Sequence, residues 1–305
     1  MAARVLYIGG SKGGTGKTTT AQNLADKFMT MGKRVLGIDG DGSASWSHLN
    51  GLFPKKGRPN LYTAISQLTS SFEARLPIYH LPSGLHFIPS SSALHKVVVD
   101  IASVDRREYV LQQLLAPVLD RYDIIIIDCP PALNSWTTNI FAVSGEGIIT
   151  VQIEPLGIAS AGAVLEYLQG LQKRGVLEHD LKLSGALITM IDSRTLLHRE
   201  MANVAQKELG KHINFFATRI ERTIQFPEAQ YFGQAITTYN PDSKGSAAYQ
   251  ALAQEVLAGT CQSRVSDLRV PAGFADQLLL SASSVEEQTG EGGTELTWEE
   301  IDVHV

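Results

Sequence analysis

The chain has 305 residues, of which 44% are hydrophobic and 19% charged, so it can bury a sizeable core and wholesale disorder is excluded. No apolar run reaches the roughly 20 residues that span a bilayer, and no secretory signal is evident, so we expect a cytoplasmic protein without a membrane partner. The two cysteines, Cys129 and Cys261, form no CxxC pair, which argues against a disulfide framework or a zinc ribbon.

The first forty residues predict a strand, a glycine-rich turn, a helix and a second strand. Residues 4–8 are a short apolar run ended by glycines, and apolar positions recur at helical spacing over 18–31. Gly32 follows at the position where helices commonly end with glycine. The next apolar run, 35–38, ends at Asp39.

Further along the chain, predicted strands and helices continue to alternate. An amphipathic helix over 106–121 leads into 123–128, whose four consecutive isoleucines predict a central parallel strand buried on both faces. Additional strands are predicted over 147–153, 183–191 and 213–217, and additional helices over 158–173, 195–209 and 243–257. This alternation predicts an α/β fold with a doubly wound, mostly parallel sheet flanked by helices.

The net charge of −5 comes from the C-terminal end of the chain. Residues 276–305 contain eight Asp or Glu and no Lys or Arg, leaving 23 of the 31 acidic residues to face all 26 basic ones. Ser, Gly and Glu clusters there predict disorder, so we divide the chain into a domain over 1–260 and an acidic, disordered tail over 261–305. Two apolar stretches of that tail, 275–280 and 298–303, are candidates for docking onto another surface.

The strongest functional signal lies between the first strand and the first helix. It is the segment Lys12-Gly13-Gly14-Thr15-Gly16-Lys17-Thr18-Thr19. Glycines let backbone N–H groups face inward around phosphate oxygens, and the helix N-terminus adds partial positive charge. In such a loop Lys17 neutralises the β- and γ-phosphates, and the Thr18 hydroxyl ligates Mg²⁺. The sequence therefore predicts a phosphate-binding loop for a nucleotide and Mg²⁺.

The loop departs from the ordinary P-loop pattern at its start. Ser11 stands where a glycine is usual, and Lys12 adds a second lysine. This combination resembles the deviant Walker A motif, KGGxGKTT, of the ParA/MinD family of ATPases. The resemblance implies ATP and Mg²⁺ as cofactors and a homodimer in the ATP state. It also implies that Lys12 reaches across that dimer to the partner's phosphates, where a second cation stabilises transition-state charge as an arginine finger does.

Carboxylates end two of the predicted strands, at the edge where an open α/β sheet binds its ligands. Asp128 fits a Walker B carboxylate that holds Mg²⁺. The other segment, Asp39-Gly40-Asp41-Gly42-Ser43, resembles the family's D-x-D-P-Q. The resemblance implies that Asp41 helps to orient the attacking water and that Asp39 supports the metal shell. Because glycine and serine replace the proline and glutamine, we expect this switch loop to be more flexible than in the family.

Cys129 follows Asp128 in a segment, Cys129-Pro130-Pro131, that matches the DxPP turn of the family. A structural cousin of the family, the nitrogenase iron protein, carries a cluster on bridging cysteines. That arrangement requires two well-placed cysteines in each chain, and Cys261 lies beyond the last predicted core helix. We therefore interpret Cys129 as a packed thiol.

The resemblance extends over residues 3–258 and is greatest to the Soj-like, small ParA branch that partitions DNA. Three further segments resemble patterns of that branch: 189–194 (T-M-x-D-x-R), 220–229 (I-P-R-N-V-R-L-S-E-A) and 241–249 (D-P-x-S-x-G-A-x-A-Y). In that branch the second pattern contributes to sequence-independent DNA binding by the ATP dimer. Arg222 holds its first arginine position and Arg219 adds a charge nearby, whereas Gln225 replaces its second arginine.

The resemblance implies a positioning ATPase. Its ATP-bound dimer binds double-stranded DNA of the nucleoid non-specifically, and a ParB-like or cargo-adaptor protein releases it by stimulating slow ATP hydrolysis. The cargo is a plasmid or chromosome origin, or alternatively a protein assembly such as a carboxysome or a chemoreceptor cluster. A MinD-like membrane-recruited regulator is disfavoured by the acidic C-terminus. A small-substrate ligase is disfavoured by the Soj-like second half, and a cluster-assembly NTPase by the missing CxxC.

Overall fold

The computed structural model describes residues 3–53, 55, 57–71 and 73–289. These residues form one mostly parallel sheet flanked by helices. Its nine strands in these residues are β1 (Arg4–Gly9), β2 (Val35–Asp39), β3 (Tyr79–His80), β4 (His86–Ile88), β5 (Ile124–Asp128), β6 (Glu146–Gln152), β7 (Lys182–Ile191), β8 (Phe215–Glu221) and β9 (Ser263–Arg264). The order across the sheet is β3-β4-β2-β5-β1-β6-β7-β8, with β9 beside β7. Only β3 and β9 pair antiparallel, so the predicted parallel α/β sheet is confirmed.

Helices cover both faces of the sheet. They are α1 (Lys17–Thr30), α2 (Ser45–Leu49), α3 (Leu61–Ser71), α4 (Val97–Asp100), α5 (Val110–Leu115), α6 (Ser135–Val143), α7 (Pro155–Lys173), α8 (Leu196–Glu208), α9 (Gln225–Tyr231), α10 (Ile236–Tyr239), α11 (Lys244–Ala258) and α12 (Phe274–Thr289). Short 3₁₀ segments lie at Ser92–Lys96, Arg107–Tyr109, Ala116–Val118, Leu209–Lys211 and Val265–Asp267. No described helix is long and apolar enough to cross a membrane.

The four isoleucines of β5 show how the sheet is buried on both faces. Ile124 and Ile126 belong to a hydrophobic cluster with residues of α1 and α11, whereas Ile125 and Ile127 belong to a cluster with residues of α5, α6 and α7. This alternation follows from the two-residue period of a strand. All four are at most 4% exposed, so a continuous apolar run is what this central strand requires.

The register of the central strands determines which residues reach the same edge. Asp128 at the end of β5 lies opposite Asp39 at the end of β2 and opposite Ile8 near the end of β1. Since these strands are parallel, both carboxylates and the loop that follows β1 meet at the carboxyl edge of the sheet.

The helix predicted over 106–121 is not continuous. Arg106 has a φ of 52°, in the left-handed region, and only Val110–Leu115 forms an α-helix. The segment then tightens into the 3₁₀ turn Ala116–Val118, which contains Pro117. Proline lacks the N–H that an α-helix needs, so this part of the prediction is wrong for a local reason.

The expectation of a disordered segment from 261 onward is wrong for residues 263–289. Strand β9 pairs with β7, and α12 packs against α7 and α8. Phe274, Leu278 and Ala282 form a buried stripe along α12 at helical spacing. The stretch 275–280 therefore docks within the chain itself, whereas 298–303 lies outside the described residues.

Candidate nucleotide-binding site

The glycine-rich loop between β1 and α1 has the conformation that its sequence requires. Gly14 and Gly16 have φ values of 79° and 85°, in the left-handed region that favours glycine. Thr15 is fully buried, and its Oγ1 lies 2.9 Å from Oγ1 of Thr150 on β6. The loop is thus anchored to the sheet at Thr15, while Gly13 and Gly14 are exposed.

Lys17 and Thr18 begin α1 and face the carboxyl edge of β5. Lys17 Nζ donates to the carbonyl oxygen of Lys12 at 2.8 Å and so curls over the loop. Burial lowers the pKa of the Lys17 ammonium, and the nearby Asp128 carboxylate opposes this shift. Thr18 Oγ1 donates to Asp128 Oδ2 at 2.6 Å. The structure therefore brings together the predicted lysine, hydroxyl and carboxylate.

The donor atoms around Asp128 suit a divalent cation. Its Oδ1 is buried and has no hydrogen-bond partner among the described residues, although an unpaired buried carboxylate oxygen is costly. A carboxylate beside a threonine hydroxyl provides the hard oxygen ligands that Mg²⁺ prefers. These atoms therefore fit a Mg²⁺ position between Thr18 and Asp128.

Asp39 is already engaged by the chain around it. Its Oδ2 accepts hydrogen bonds from Ser47 N at 2.8 Å and Ser47 Oγ at 2.7 Å, and its Oδ1 accepts one from Asp41 N at 3.2 Å. The carboxylate is fully buried, and burial raises its pKa to about 6 against the hydrogen bonds from Ser47. Because both oxygens of the Asp39 carboxylate already accept hydrogen bonds, this residue is suited to support the water molecules around a cation and not to bind the cation directly.

Burial also raises the pKa of Asp128 well above its usual value, and the neighbouring Asp39 carboxylate adds to this shift. Since the pKa of Asp39 is about 6 in the folded protein and about 4 in the unfolded chain, the stability that this carboxyl contributes to the unliganded protein is lost as pH rises from about 4 through about 6, and the raised pKa of Asp128 acts in the same direction. A cation at Asp128 favours the charged carboxylates and offsets this loss.

We therefore expect Mg²⁺ and nucleotide together to raise the melting temperature more at pH 7.5 than at pH 5, by on the order of 5 °C. Differential scanning calorimetry at both pH values measures this difference. Asp128→Asn is the control, because nucleotide phosphates titrate equally in both proteins. Identical profiles for the wild type and the variant would contradict the assignment.

Lys12 is held within its own chain. Its Nζ lies 2.7 Å from Glu154 Oε2 and 3.3 Å from Gln152 Oε1, at the start of α7. Gln152 Nε2 also donates to Glu154 Oε1 at 2.7 Å. Both charged side chains are partly exposed, and ion pairs of this kind contribute only about 0–1 kcal/mol. A phosphate can therefore displace Glu154 from Lys12 at little cost.

The switch loop, residues 39–43, is packed closely against its surroundings. Gly40 N donates to the Asp128 carbonyl oxygen at 2.9 Å, and Trp136 Nε1 donates to the Gly40 carbonyl oxygen at 2.8 Å. A Cβ on Gly40 would lie 2.7 Å from the Asp128 carbonyl oxygen, and one on Gly42 would lie 2.7 Å from the His95 ring. Neither glycine has a positive φ, so the structure accounts for both by close approach.

The phosphate loop and the switch loop line a cavity of about 840 Å³, which is within the size range of ligand sites. Asp41, Lys17 and Thr18 line it, and so do His95 and Gln230, which the sequence analysis did not single out. An adjoining cavity of about 230 Å³ has an apolar lining from Met190, Ile220, Phe226, Pro227 and Tyr249. Its residues belong mostly to segments 189–194 and 220–229, so their similarity to family patterns was the available signal.

Arg219 and Arg222 line an open groove of about 800 Å³ that we call the cationic groove. Its charged lining residues are Asp192, Arg194, Arg219, Glu221, Arg222 and Lys244. Arg194 pairs with Asp192 at 2.7 Å, whereas Arg222 and Lys244 form no ion pair with any described residue. Glu221, Arg222 and Thr223 also line the apolar cavity, so the groove adjoins the nucleotide site.

The parallel sheet and the loop between β1 and α1 define a P-loop nucleoside triphosphatase. A family model described as an AAA domain matches residues 3–183. The chromosome-partitioning ATPase Soj of Thermus thermophilus is 31% identical over 255 residues, covering 84% of this chain and 96% of that protein. Chromosome partitioning protein ParA of Caulobacter vibrioides is 31% identical over 256 residues, covering 83% and 94%. The chain belongs to the ParA/MinD family of P-loop ATPases, which confirms the family suggested by its motifs.

Two solved structures have the same fold. Cobyrinic acid a,c-diamide synthase from Mycobacterium smegmatis, with bound ADP and magnesium, superposes with a TM-score of 0.70 at 27% identity, covering 84% of this chain and 94% of that one. Septum site-determining protein MinD from Pyrococcus horikoshii, complexed with Mg-ADP, gives a TM-score of 0.65 at 25% identity, covering 85% and 98%.

Proposed function

We propose that this chain is a ParA-type ATPase that binds Mg·ATP, dimerises in the ATP state and hydrolyses ATP slowly until a partner stimulates it. The observation that carries the proposal is the pairing of Thr18 with Asp128 at the phosphate loop, where the other carboxylate oxygen of Asp128 has no hydrogen-bond partner among the residues that the structure describes. Structures of relatives at 25–27% identity hold ADP and magnesium, which supports the same cofactors here.

In this proposal the nucleotide lies across both cavities. The segment 12–19 surrounds the phosphates with backbone N–H groups and with Lys17 Nζ, which leaves the Lys12 carbonyl when phosphate binds. Thr18 and Asp128 would hold Mg²⁺, which would neutralise negative charge on the phosphates, and Asp39 would support its water shell. The base enters the apolar cavity beside Met190 and Phe226.

Hydrolysis requires an oriented water and compensation of charge at the γ-phosphate. Asp41 lines the phosphate cavity and accepts a hydrogen bond from Ser43 N at 2.8 Å through Oδ1. Its Oδ2 is left to orient the attacking water. Lys17 supplies positive charge within the chain, and Lys12, once released from Glu154, supplies it across the dimer.

The cationic groove supports binding to double-stranded DNA without sequence preference. Its lining carries four cations and two carboxylates, and Arg222 and Lys244 are unpaired among the described residues. Neutralising phosphates is the basis of non-specific DNA binding, and a dimer doubles this modest excess. The named partitioning relatives support a nucleoid-associated role in which the cargo is a plasmid or chromosome origin and a ParB-like or adaptor protein stimulates hydrolysis.

The first test is binding to a random-sequence duplex with ATP, with ADP and without nucleotide, at one moderate salt concentration. We expect tight binding only with ATP, and we expect Arg219→Glu to weaken it by about tenfold or more, with a shallower salt dependence, because Arg219 lines the cationic groove but not the apolar cavity. Lys33→Glu is the matched control. Lys33 is exposed and lies before the first residue of β2, at the amino-terminal ends of the parallel strands, whereas the cationic groove lies at their carboxyl ends. Absence of binding in every nucleotide state would overturn the DNA part of the proposal.

A further inference from the structure

The imidazole of His95 lies directly against Gly42 of the switch loop. A Cβ built on Gly42 would lie 2.7 Å from Cε1 and Nε2 of His95 and 2.8 Å from Cδ2. Three ring atoms at nearly equal distance place the ring over the Gly42 Cα. Since Gly42 is buried and has no positive φ, its lack of a side chain serves this contact.

His95 is carried by a segment that is tied to the same loop at another point. The 3₁₀ turn Ser92–Lys96 follows β4 and is anchored by Leu94, which is 2% exposed. Before this turn, Ser90 N donates to Ser47 Oγ at 2.8 Å, and that hydroxyl donates to Asp39 Oδ2 at 2.7 Å. The segment that carries His95 and the switch loop are therefore linked through Ser47 and Asp39, while the His95 side chain itself is exposed above the loop.

The loop between these contacts needs support from outside. Ala44 has a φ of 54°, in the left-handed region that is unfavourable for a residue with a Cβ. Within the loop, Ser43 N donates to Asp41 Oδ1 at 2.8 Å and Ala44 N donates to the Asp41 carbonyl oxygen at 3.0 Å. The proline of the family's D-x-D-P-Q, which would stiffen this backbone, is absent.

We propose that His95 is a positioning residue for ATP hydrolysis. Its ring occupies the space of the missing side chain at position 42 and holds the backbone of residues 41–44 so that Asp41 faces the phosphate cavity. This inference rests on the proposed function. It assigns to a ring outside the phosphate loop the stiffening that a proline would otherwise supply.

A double-mutant cycle on hydrolysis tests the pairing. Gly42→Ala places a methyl group where the exposed His95 ring lies, so the ring must move off the loop, and both Gly42→Ala and His95→Ala are expected to lower kcat by about threefold. In the double variant, Gly42→Ala should have almost no further effect, since the clash is gone. Since Gly42 and His95 also line the phosphate cavity, affinity for a fluorescent ATP analogue is measured for all three variants: a positioning role predicts that kcat falls more than affinity, and a loss of affinity alone would overturn it. Effects on kcat that simply multiply would overturn the proposal.

Hydrogen exchange in the nucleotide-free protein separates this inference from the proposed function. Amides of residues 40–46 should exchange faster in His95→Ala than in the wild type, whether or not the protein hydrolyses ATP. Gly210→Ala is the control for the Gly42→Ala variant of the kinetic cycle, because a Cβ at Gly210 meets nothing within 4 Å. Unchanged exchange of 40–46 in His95→Ala would overturn the role of His95, whereas a wild type without ATPase activity would overturn only the proposed function.

Discussion

Asp41→Ala is expected to lower ATP hydrolysis by about 100-fold or more while ATP affinity stays within about threefold of the wild type. The side chain lines the phosphate cavity but is not part of the loop 12–19 that would hold the phosphates. Loss of the water-orienting carboxylate therefore leaves binding intact and blocks the step that would end the ATP state. Size-exclusion chromatography with ATP and Mg²⁺ should show a dimer that persists after the wild-type protein has returned to monomer.

Asp41→Asn separates the chemical role of Asp41 from its part in the loop. Asn keeps an Oδ1 acceptor for Ser43 N, so the turn that this 2.8 Å hydrogen bond closes should survive. If the charged carboxylate acts on water, both variants lose hydrolysis. If Asp41 only shapes the turn, Asn retains activity and Ala does not, and the catalytic assignment is then wrong.

The sequence predicts the part of the site that local chemistry dictates. The positive φ values of Gly14 and Gly16 require glycine, so the phosphate loop is readable from residue types alone. The isoleucine run predicts a central strand, and parallel strands ending in Asp39 and Asp128 place both carboxylates at one edge. These features depend on neighbours in the chain or on one rule of sheet geometry.

What escaped prediction depends on contacts between distant segments. Gly40 and Gly42 suggest flexibility when read alone, yet each accommodates a group from far along the chain, the Asp128 carbonyl oxygen and the His95 ring. The apolar cavity beside the loop combines Met190 of β7 with Phe226 of α9 and Tyr249 of α11. The spacing of residues within any one of these segments does not predict that their side chains line one cavity.

Helix α12 forms where the composition of the chain predicts disorder. Ser and Glu clusters suggest disorder, but Phe274, Leu278 and Ala282 recur every four residues and bury against α7. Gly162 of α7 makes room for this contact, since a Cβ there would lie 2.5 Å from Leu278 Cδ1. The surface that covers this apolar face of α12 belongs to α7 of the same chain, so it is known only from the three-dimensional structure.

Lys12→Ala is expected to reduce ATP-dependent hydrolysis by about 100-fold or more, within the range found when a trans-acting cation is lost from phosphoryl transfer. ATP should still bind, because Lys17 and the backbone N–H groups of the loop remain. Because Lys12 forms an ion pair with Glu154 at 2.7 Å, this pair must break before the Lys12 ammonium can reach a phosphate bound to the partner subunit. Sedimentation with ATP should therefore show a monomer, or a dimer that does not turn over.

Glu154→Gln provides the control that separates charge from position. Gln keeps the size of the side chain and one acceptor oxygen for either Lys12 or Gln152 but removes the competing carboxylate, so Lys12 is released more readily and ATP-driven dimerisation should become about twofold to fivefold tighter. A cation that acts across the dimer predicts opposite effects of Lys12→Ala and Glu154→Gln on turnover. If the two variants instead lose activity to the same extent, the pair serves only to hold the start of α7 against the loop, and the second lysine has no role in catalysis.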